Sequence, residues 1–208
     1  MEIQYYGGNC LTVTYKSTKL IIDDYLEDFG KKSIIKNQDT AIYTDELITN
    51  QNNNNYNLLI NGPGEYEIGE ISVIGIRSRS FIDQDKSVTM YKFTTPEASI
   101  LITGRIFGEF NDEQMEKIGK INALIVPLGN NGYCLDPVGG LKLIKEIEPN
   151  IFIPTFYKSK DLKYPVETLS LDQIITELGM ESSEAITKLK LRKNDISDSI
   201  SLVILEQS

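Results

Sequence analysis

The sequence predicts a mixed α/β (α+β) protein in which helices pack on extensive sheet. Two observations carry this. The first hundred residues hold a succession of short, β-branched and aromatic segments with turns every eight to twelve residues. After Gly104 the pattern changes to helix signals alternating with two continuous apolar runs, 121–128 and 150–157, of the kind buried on both faces.

The segments 2–6 (EIQYY), 10–15 (CLTVTY) and 18–22 (TKLII) read as strands, the last two joined by a Lys16–Ser17 turn. An irregular acidic stretch leads to a short strand at 41–43, and the polar run 51–55 (QNNNN) reads as an exposed loop. NLLI at 57–60 is expected to be a buried strand, closed by the Gly62-Pro63-Gly64 turn. Strands at 65–68, 71–76, 87–94 and 98–103 follow.

In the second half, Asn111 or Asp112 caps a helix over 111–118. Asp136 with Pro137 behind it starts another, with Leu141, Ile144 and Ile147 as its apolar stripe. A third lies near 170–178 and stops at Gly179, before alternating strands at 186–191 and 199–205. No segment reads as a linker, so residues 1–208 are expected to form a single domain.

Composition excludes several functions. Hydrophobic content of 40% and charged content of 25% are ordinary for a globular protein, while a net charge of −9 argues against a nucleic-acid partner. The basic run 188–193 (KLKLRK) alternates as the solvent face of a strand would. No apolar run approaches the roughly 20 residues that span a bilayer, and the N-terminus lacks a signal-peptide pattern. Cys10 and Cys134 lack metal-finger spacing and fit reduced thiols, so a cytoplasmic location is expected. The most informative count is zero histidines. Without imidazole there is no Ser-His-Asp or Cys-His mechanism and no His-based metal site.

Five stretches, in order, resemble the metallo-β-lactamase superfamily, in the branch similar to ascorbate-6-phosphate lactonase and its Zn-dependent hydrolase relatives. They are YYGGNCLTV (5–13), TKLIIDDY (18–25), GPGEYEIGEISVIGI (62–76), ASILITGR (98–105) and the longest, PLGNNGYCLDPVGGLKLIKEIEPNIFIPTFY (127–157). The resemblance covers roughly residues 1–157. It implies a four-layer αββα sandwich with a metal site at the edge between the two sheets.

The departures fall on the metal ligands. Where the family has Thr-His-x-His-x-Asp-His, this chain has Thr44 to Asn50, placing Asp45, Leu47, Thr49 and Asn50 at the ligand positions. The next histidine would fall near Ile76-Arg77-Ser78, and none is present. Arg105 replaces the bridging aspartate of Thr-Gly-Asp, Phe156 replaces the final histidine, and Gly7-Gly8 replaces a Gly-His pair. Asp23 survives, but in this branch it is not counted among the ligands. The family mechanism uses zinc to lower the pKa of a bound water. Arg105 would set a permanent positive charge where a carboxylate bridged two dications, and Phe156 offers no lone pair.

The remnant-site candidates are therefore Asp23, Asp45, Arg105, Tyr133, Phe156 and Tyr157, the two tyrosines lining the same cleft. Asp23 is expected to cap amides of a neighbouring loop while Asp24 faces solvent. The competing reading is a carboxylate-only Mg²⁺ or Mn²⁺ site built from Asp23, Asp24, Asp45 and Glu46. Arg77, Arg79 and Arg105 are candidates to converge on an anion; Glu65 is a weaker candidate base. Cys134, lacking a His partner, reads as a quiet, partly buried thiol. The expected function is a metal-free, catalytically inactive member of the fold, without a cofactor, that binds a partner protein or a small anionic ligand. The alternatives are a metal-dependent hydrolase using carboxylates alone, or a scaffold that self-associates into a homo-oligomer along a sheet edge.

Overall fold

A computed structural model describes residues 1–45, 56–129, 132–195, 197 and 199–208. Strands β1 (Glu2–Gly7), β2 (Cys10–Tyr15), β3 (Thr18–Ile22), β4 (Thr40–Ile42) and β5 (Leu58–Ile60) build the first sheet. β1 to β3 are antiparallel neighbours, whereas β3, β4 and β5 run parallel. Lys16 makes the tight β2–β3 turn with a positive φ of 51°.

The second sheet begins as an antiparallel meander of β6 (Gly64–Ile68), β7 (Ile71–Arg79), β8 (Ser87–Thr94) and β9 (Ser99–Ile102). It turns parallel through β10 (Ala123–Pro127) and β11 (Ile151–Thr155). β12 (Leu189–Lys190) adds to the outer edge of β1, and β13 (Ser201–Leu202) to that of β11. The expected tail strands at 186–191 and 199–205 are thus only two residues long, extended by single bridges such as Ile186 with Leu205. The basic run does alternate, with Leu189 and Leu191 buried between exposed Lys188, Lys190 and Arg192.

The helices are α1 (Asp112–Ile118), α2 (Pro137–Ile147) and α3 (Leu171–Leu178). Asn111 and Gln114 close a capping box on α1, as Ser170 and Gln173 do on α3. Asp136 accepts the Gly139 amide at the start of α2. Each cap satisfies amides that water would otherwise have to bond, worth about 1 kcal/mol.

Alternation along the strands divides the core in two. Ile3, Tyr5, Val13, Leu20 and Ile22 from the first sheet meet Val73, Tyr91, Phe93, Ile100 and Ile125 from the second. Leu101, Leu124, Val126 and Phe152, on the opposite face of the second sheet, meet Ile118, Leu143, Ile144, Ile174 and Leu178 from the helices. Together these give the α/β sandwich of the metallo-β-lactamase type. Among the described residues all three helices lie on the second sheet. NLLI differs from its reading as a buried strand: it closes the sheet edge, with Leu58 exposed and Ile60 alone fully buried. The polar run 51–55 lies outside the described residues.

Candidate functional site

β3 and β4 of the first sheet and β9, β10 and β11 of the second all end at one rim, where open sheets containing parallel strands commonly bind ligands. The residues one to three positions past those ends include Asp23, Thr44, Asp45, Arg105, Leu128 and Phe156. Two of them, Asp23 and Phe156, hold left-handed backbone with φ of 49° and 60°. Such conformations cost about 1–3 kcal/mol outside glycine and cluster at functional sites. The other two positive-φ side chains, Lys16 and Glu148, serve a hairpin turn and a helix end.

Asp23 is 2% exposed and its carboxylate accepts three hydrogen bonds. Thr44 gives its backbone N–H to Oδ1 and its hydroxyl to Oδ2, each at 2.7 Å, and Asn9 Nδ2 donates to Oδ2 at 2.6 Å. Asn9 in turn accepts the Thr155 hydroxyl at 2.7 Å, so the chain of bonds crosses from the first sheet to the second. Burial drives the Asp23 carboxyl up to about 6, outweighing the Thr44 and Asn9 hydrogen bonds and the nearby Arg105, which all favour the charged form.

The second crossing is ionic. Arg105 Nη2 donates to Asp45 Oδ2 at 2.7 Å, with side chains 8% and 1% exposed. Burial alone would lower the Arg105 pKa, but Asp45, Tyr133, Tyr25 and Asp23 together hold it above its usual value. The guanidinium lies 4.5 Å from the Tyr133 ring centroid, and the Tyr25 hydroxyl anchors the Asp45 carbonyl at 2.5 Å. Gly104, at φ 63°, lets the chain approach Thr44 so closely that a Cβ there would collide with the Thr44 side chain.

Aromatic rings close the remaining opening. Phe156 stacks on Tyr133 with centroids 5.2 Å apart, and it meets Tyr164 at 4.5 Å and Phe29 at 6.0 Å. Its backbone N–H donates to Gly8 O at 2.7 Å, which docks the β1–β2 turn onto the ring cluster. The space left among Asn9, Asp23, Thr44, Arg105 and the rings is about 20 Å³. Among the described residues, that pocket has room for about one water.

A family model described as the beta-lactamase superfamily domain matches residues 2–156. The chain belongs to this superfamily. Solved structures agree on the fold. A Thermotoga maritima protein assigned as a Zn-dependent hydrolase of the metallo-β-lactamase superfamily is 17% identical, over 98% of this chain and 97% of its own, with a TM-score of 0.75. An isothiocyanate hydrolase from Delia radicum gut bacteria is 11% identical over 97% and 96%, with a TM-score of 0.63. The metallo-β-lactamase fold protein YhfI from Bacillus subtilis is 10% identical over 97% and 95%, with a TM-score of 0.60. A comparison with curated proteins gives no match. At such identities the likeness is one of fold, and chemistry must be argued from the site.

Among the described residues, the donor set at this rim does not fit a catalytic metal. Its rim carboxylates point to separate tasks: Asp23 to Thr44 and Asn9, Asp45 to Arg105, and Asp24 to the loop at 33–35. Among the described residues no three His, Cys, Asp or Glu side chains are grouped so as to hold a metal. A cation would also face the Arg105 guanidinium at close range.

Of the sequence candidates, Asp23, Asp45, Arg105, Tyr133 and Phe156 come together. Tyr157 does not line the cleft: it faces the inter-sheet core, packs on Tyr5 and donates to Leu205 O at 3.0 Å. Asp23 does bond the Thr44 amide. The expectation that Asp24 faces solvent is corrected. Asp24 is 8% exposed and accepts from Ser33 Oγ at 2.7 Å and from the Ile34 and Ile35 amides at 2.8 and 3.1 Å. The three arginines do not converge, since Arg77 and Arg79 line a different groove from Arg105.

Glu65 is exposed on the edge strand β6. Cys134 is fully buried, not partly, and accepts the Gly129 amide at 3.0 Å. Glu46, Leu47, Thr49 and Asn50 lie outside the described residues. Asn9, Thr44, Thr155 and Tyr164 were not singled out from the sequence. An Asn after Gly-Gly, or a Thr ending a strand, is ordinary turn chemistry until its partner is known.

Proposed function

We propose that this is a metal-free, non-hydrolytic member of the beta-lactamase superfamily that acts in the cytoplasm by binding a partner protein or a small anionic ligand. The buried Asp45–Arg105 ion pair carries this reading. An aspartate at a ligand position and an arginine at the bridging position neutralise one another at 2.7 Å, in a rim with room for about one water. A hydrolase of this fold needs a polarised water and an open position for its substrate; a closed ion pair supplies neither. The buried thiols of Cys10 and Cys134, which form no disulfide, fit a reducing compartment. The carboxylate-only metal reading gains no support from Asp23, Asp24 and Asp45, whose oxygens serve three separate networks.

The test is elemental analysis of protein purified without a histidine tag, which would supply the ligands the sequence lacks. Melting curves with EDTA, Zn²⁺ and Mn²⁺ accompany it. Metal far below stoichiometric and a melting temperature unmoved by chelator are expected. Near-stoichiometric metal with melting lowered by EDTA would overturn the proposal, and Asp23 and Asp45 would become the first residues to replace in a hydrolase assay.

A further inference from the structure

Away from the closed rim, a groove of about 520 Å³ runs between the far end of β7, the connection to β8 and α1. Its size is that of a small-molecule site. Beyond Ile76, β7 has no β6 partner, because β6 pairs only as far as Gly75. Gln114 Nε2 covers the freed Arg77 carbonyl at 2.6 Å and fixes this strand end against α1. The β6 edge therefore stops where the groove begins, while β7 stays paired to β8 as far as Arg79 with Ser87, so the side chains stand on a fixed backbone.

The lining is polar and locally basic. Arg77, Arg79, Lys86 and Lys117 face Asp85 and Glu113, four positive charges against two negative, in a chain whose net charge is −9. Alternation along a strand puts Arg77 and Arg79 on one face, about 7 Å apart along it. Arg79 is pinned, with its guanidinium 4.6 Å from the Phe107 centroid and paired to Glu109 at 2.7 Å. Lys86 and Lys117 are paired to Asp83 and Glu113. Arg77 has no carboxylate partner among the described residues. Such exposed pairs are weak and yield to a better anion.

Ser78, between the two arginines in the chain, is 4% exposed and by the same alternation turns to the opposite, buried face of the strand.

We propose that this groove is a binding site for a small polar molecule carrying a phosphate or carboxylate group, with Arg77 as the primary contact and Arg79 beside it. Guanidinium forks match oxyanion geometry in pairs of hydrogen bonds. The largely polar lining, in which Ile76 is the apolar member, selects a hydroxylated or amide-bearing body over an apolar one. The site is separate from the remnant rim, and it stands whether or not that rim is metal-free.

The experiment is a titration of the full chain with inorganic phosphate and, in parallel, acetate. It is followed by amide NMR and calorimetry in low-salt buffer, where surface charges are least screened. Saturable binding is expected, with amide shifts confined to 76–79, 84–87 and 111–117. Arg77→Gln should weaken it about tenfold or more, the effect of losing one charge-assisted contact. Lys120→Gln, in a separate groove with Lys193, should leave it unchanged. Both substitutions are on the surface, and an unchanged melting curve verifies folding. Non-saturable binding, equal losses in the two variants, or shifts spread over the whole surface would overturn the proposal.

Discussion

Replacing Arg105 by Met removes a buried cation and takes from Asp45, whose side chain is 1% exposed, the positive charge of its ion pair. At 2.7 Å the Coulomb attraction in an effective dielectric of 20 is about 6 kcal/mol. The desolvation of two ions, several kcal/mol each, cancels much of that attraction in the wild type. In the variant the aspartate keeps its own desolvation cost and loses the attraction, so a destabilisation of about 3–5 kcal/mol is expected. Methionine still packs on Tyr133 and limits the loss from the cation–ring contact. Asp45→Leu alone should cost comparably, since it strands the guanidinium. The double variant, with both charges gone, should lie within about 1 kcal/mol of wild type, because apolar replacement of a buried pair is often close to neutral. Urea unfolding near neutral pH followed by far-UV circular dichroism measures all three, the sequence having no tryptophan to report by fluorescence. A coupling energy of about 2–4 kcal/mol is the expected signature. A cost below about 1 kcal/mol for Arg105→Met, with coupling near zero, would mean that the pair is solvated like the exposed Lys16–Glu70 pair. The account of the rim as a closed ionic clasp would then fail.

Two other outcomes follow from the same rim. The Asp23 carboxyl rises from 3.8 to about 6 on folding, so between those values the native state holds a proton that the unfolded chain has released. Its contribution to stability is full below pH 3.8 and is lost as pH rises through 6, about 3 kcal/mol at 1.36 kcal/mol per pH unit. Asp23→Asn should remove that slope from urea midpoints measured across the interval, and an identical slope in the variant would exclude Asp23 as its source. Gly104→Ala sets a Cβ against the Thr44 side chain in left-handed backbone, and should destabilise by about 2–4 kcal/mol in the same assay; a loss under about 1 kcal/mol would show that the sheets can part there at little cost.

How much of this was legible depended on how local each feature is. The strands at 10–15, 18–22 and 87–94 match their sequence patterns residue for residue, because alternation and turn residues are local. The helix starts at Asn111 and Asp136 are equally local, since a cap and its amide are three residues apart. Asp24 shows the opposite case. Its amide partners lie ten and eleven residues on, in a stretch with no periodicity, so an acid after a buried strand read as solvent-facing. Tail strands 186–191 and 199–205 had the right alternation, but ladder length is set by how far β1 and β11 present an open edge. Resemblance to the family marked Asp45 and Arg105 as anomalous singly; their pairing, 60 residues apart, required the two sheets to be brought together.

The pairing also gives a physical reason for keeping charge in a rim where no three of the described Cys, Asp and Glu side chains group to hold a metal. The backbone at this rim is constrained, with left-handed φ at Asp23 and Phe156. Such a rim needs polar links between sheets or must admit water. Among the described residues two side-chain links cross it, Asn9 to Thr155, a neutral bond, and Asp45 to Arg105, an ionic one, beside backbone bonds from Phe156 N–H to Gly8 O and Thr89 N–H to Thr44 O. The Asp23 carboxylate organises the first from within the first sheet, and its raised pKa records the cost of doing so while buried. Only a positive group could sit beside both Asp23 and Asp45 without stranding a negative charge, and arginine provides it with a flat face that the Tyr133 ring covers. Once Arg105 is committed to that role, an incoming dication meets like charge, and an incoming anion meets a guanidinium already neutralised.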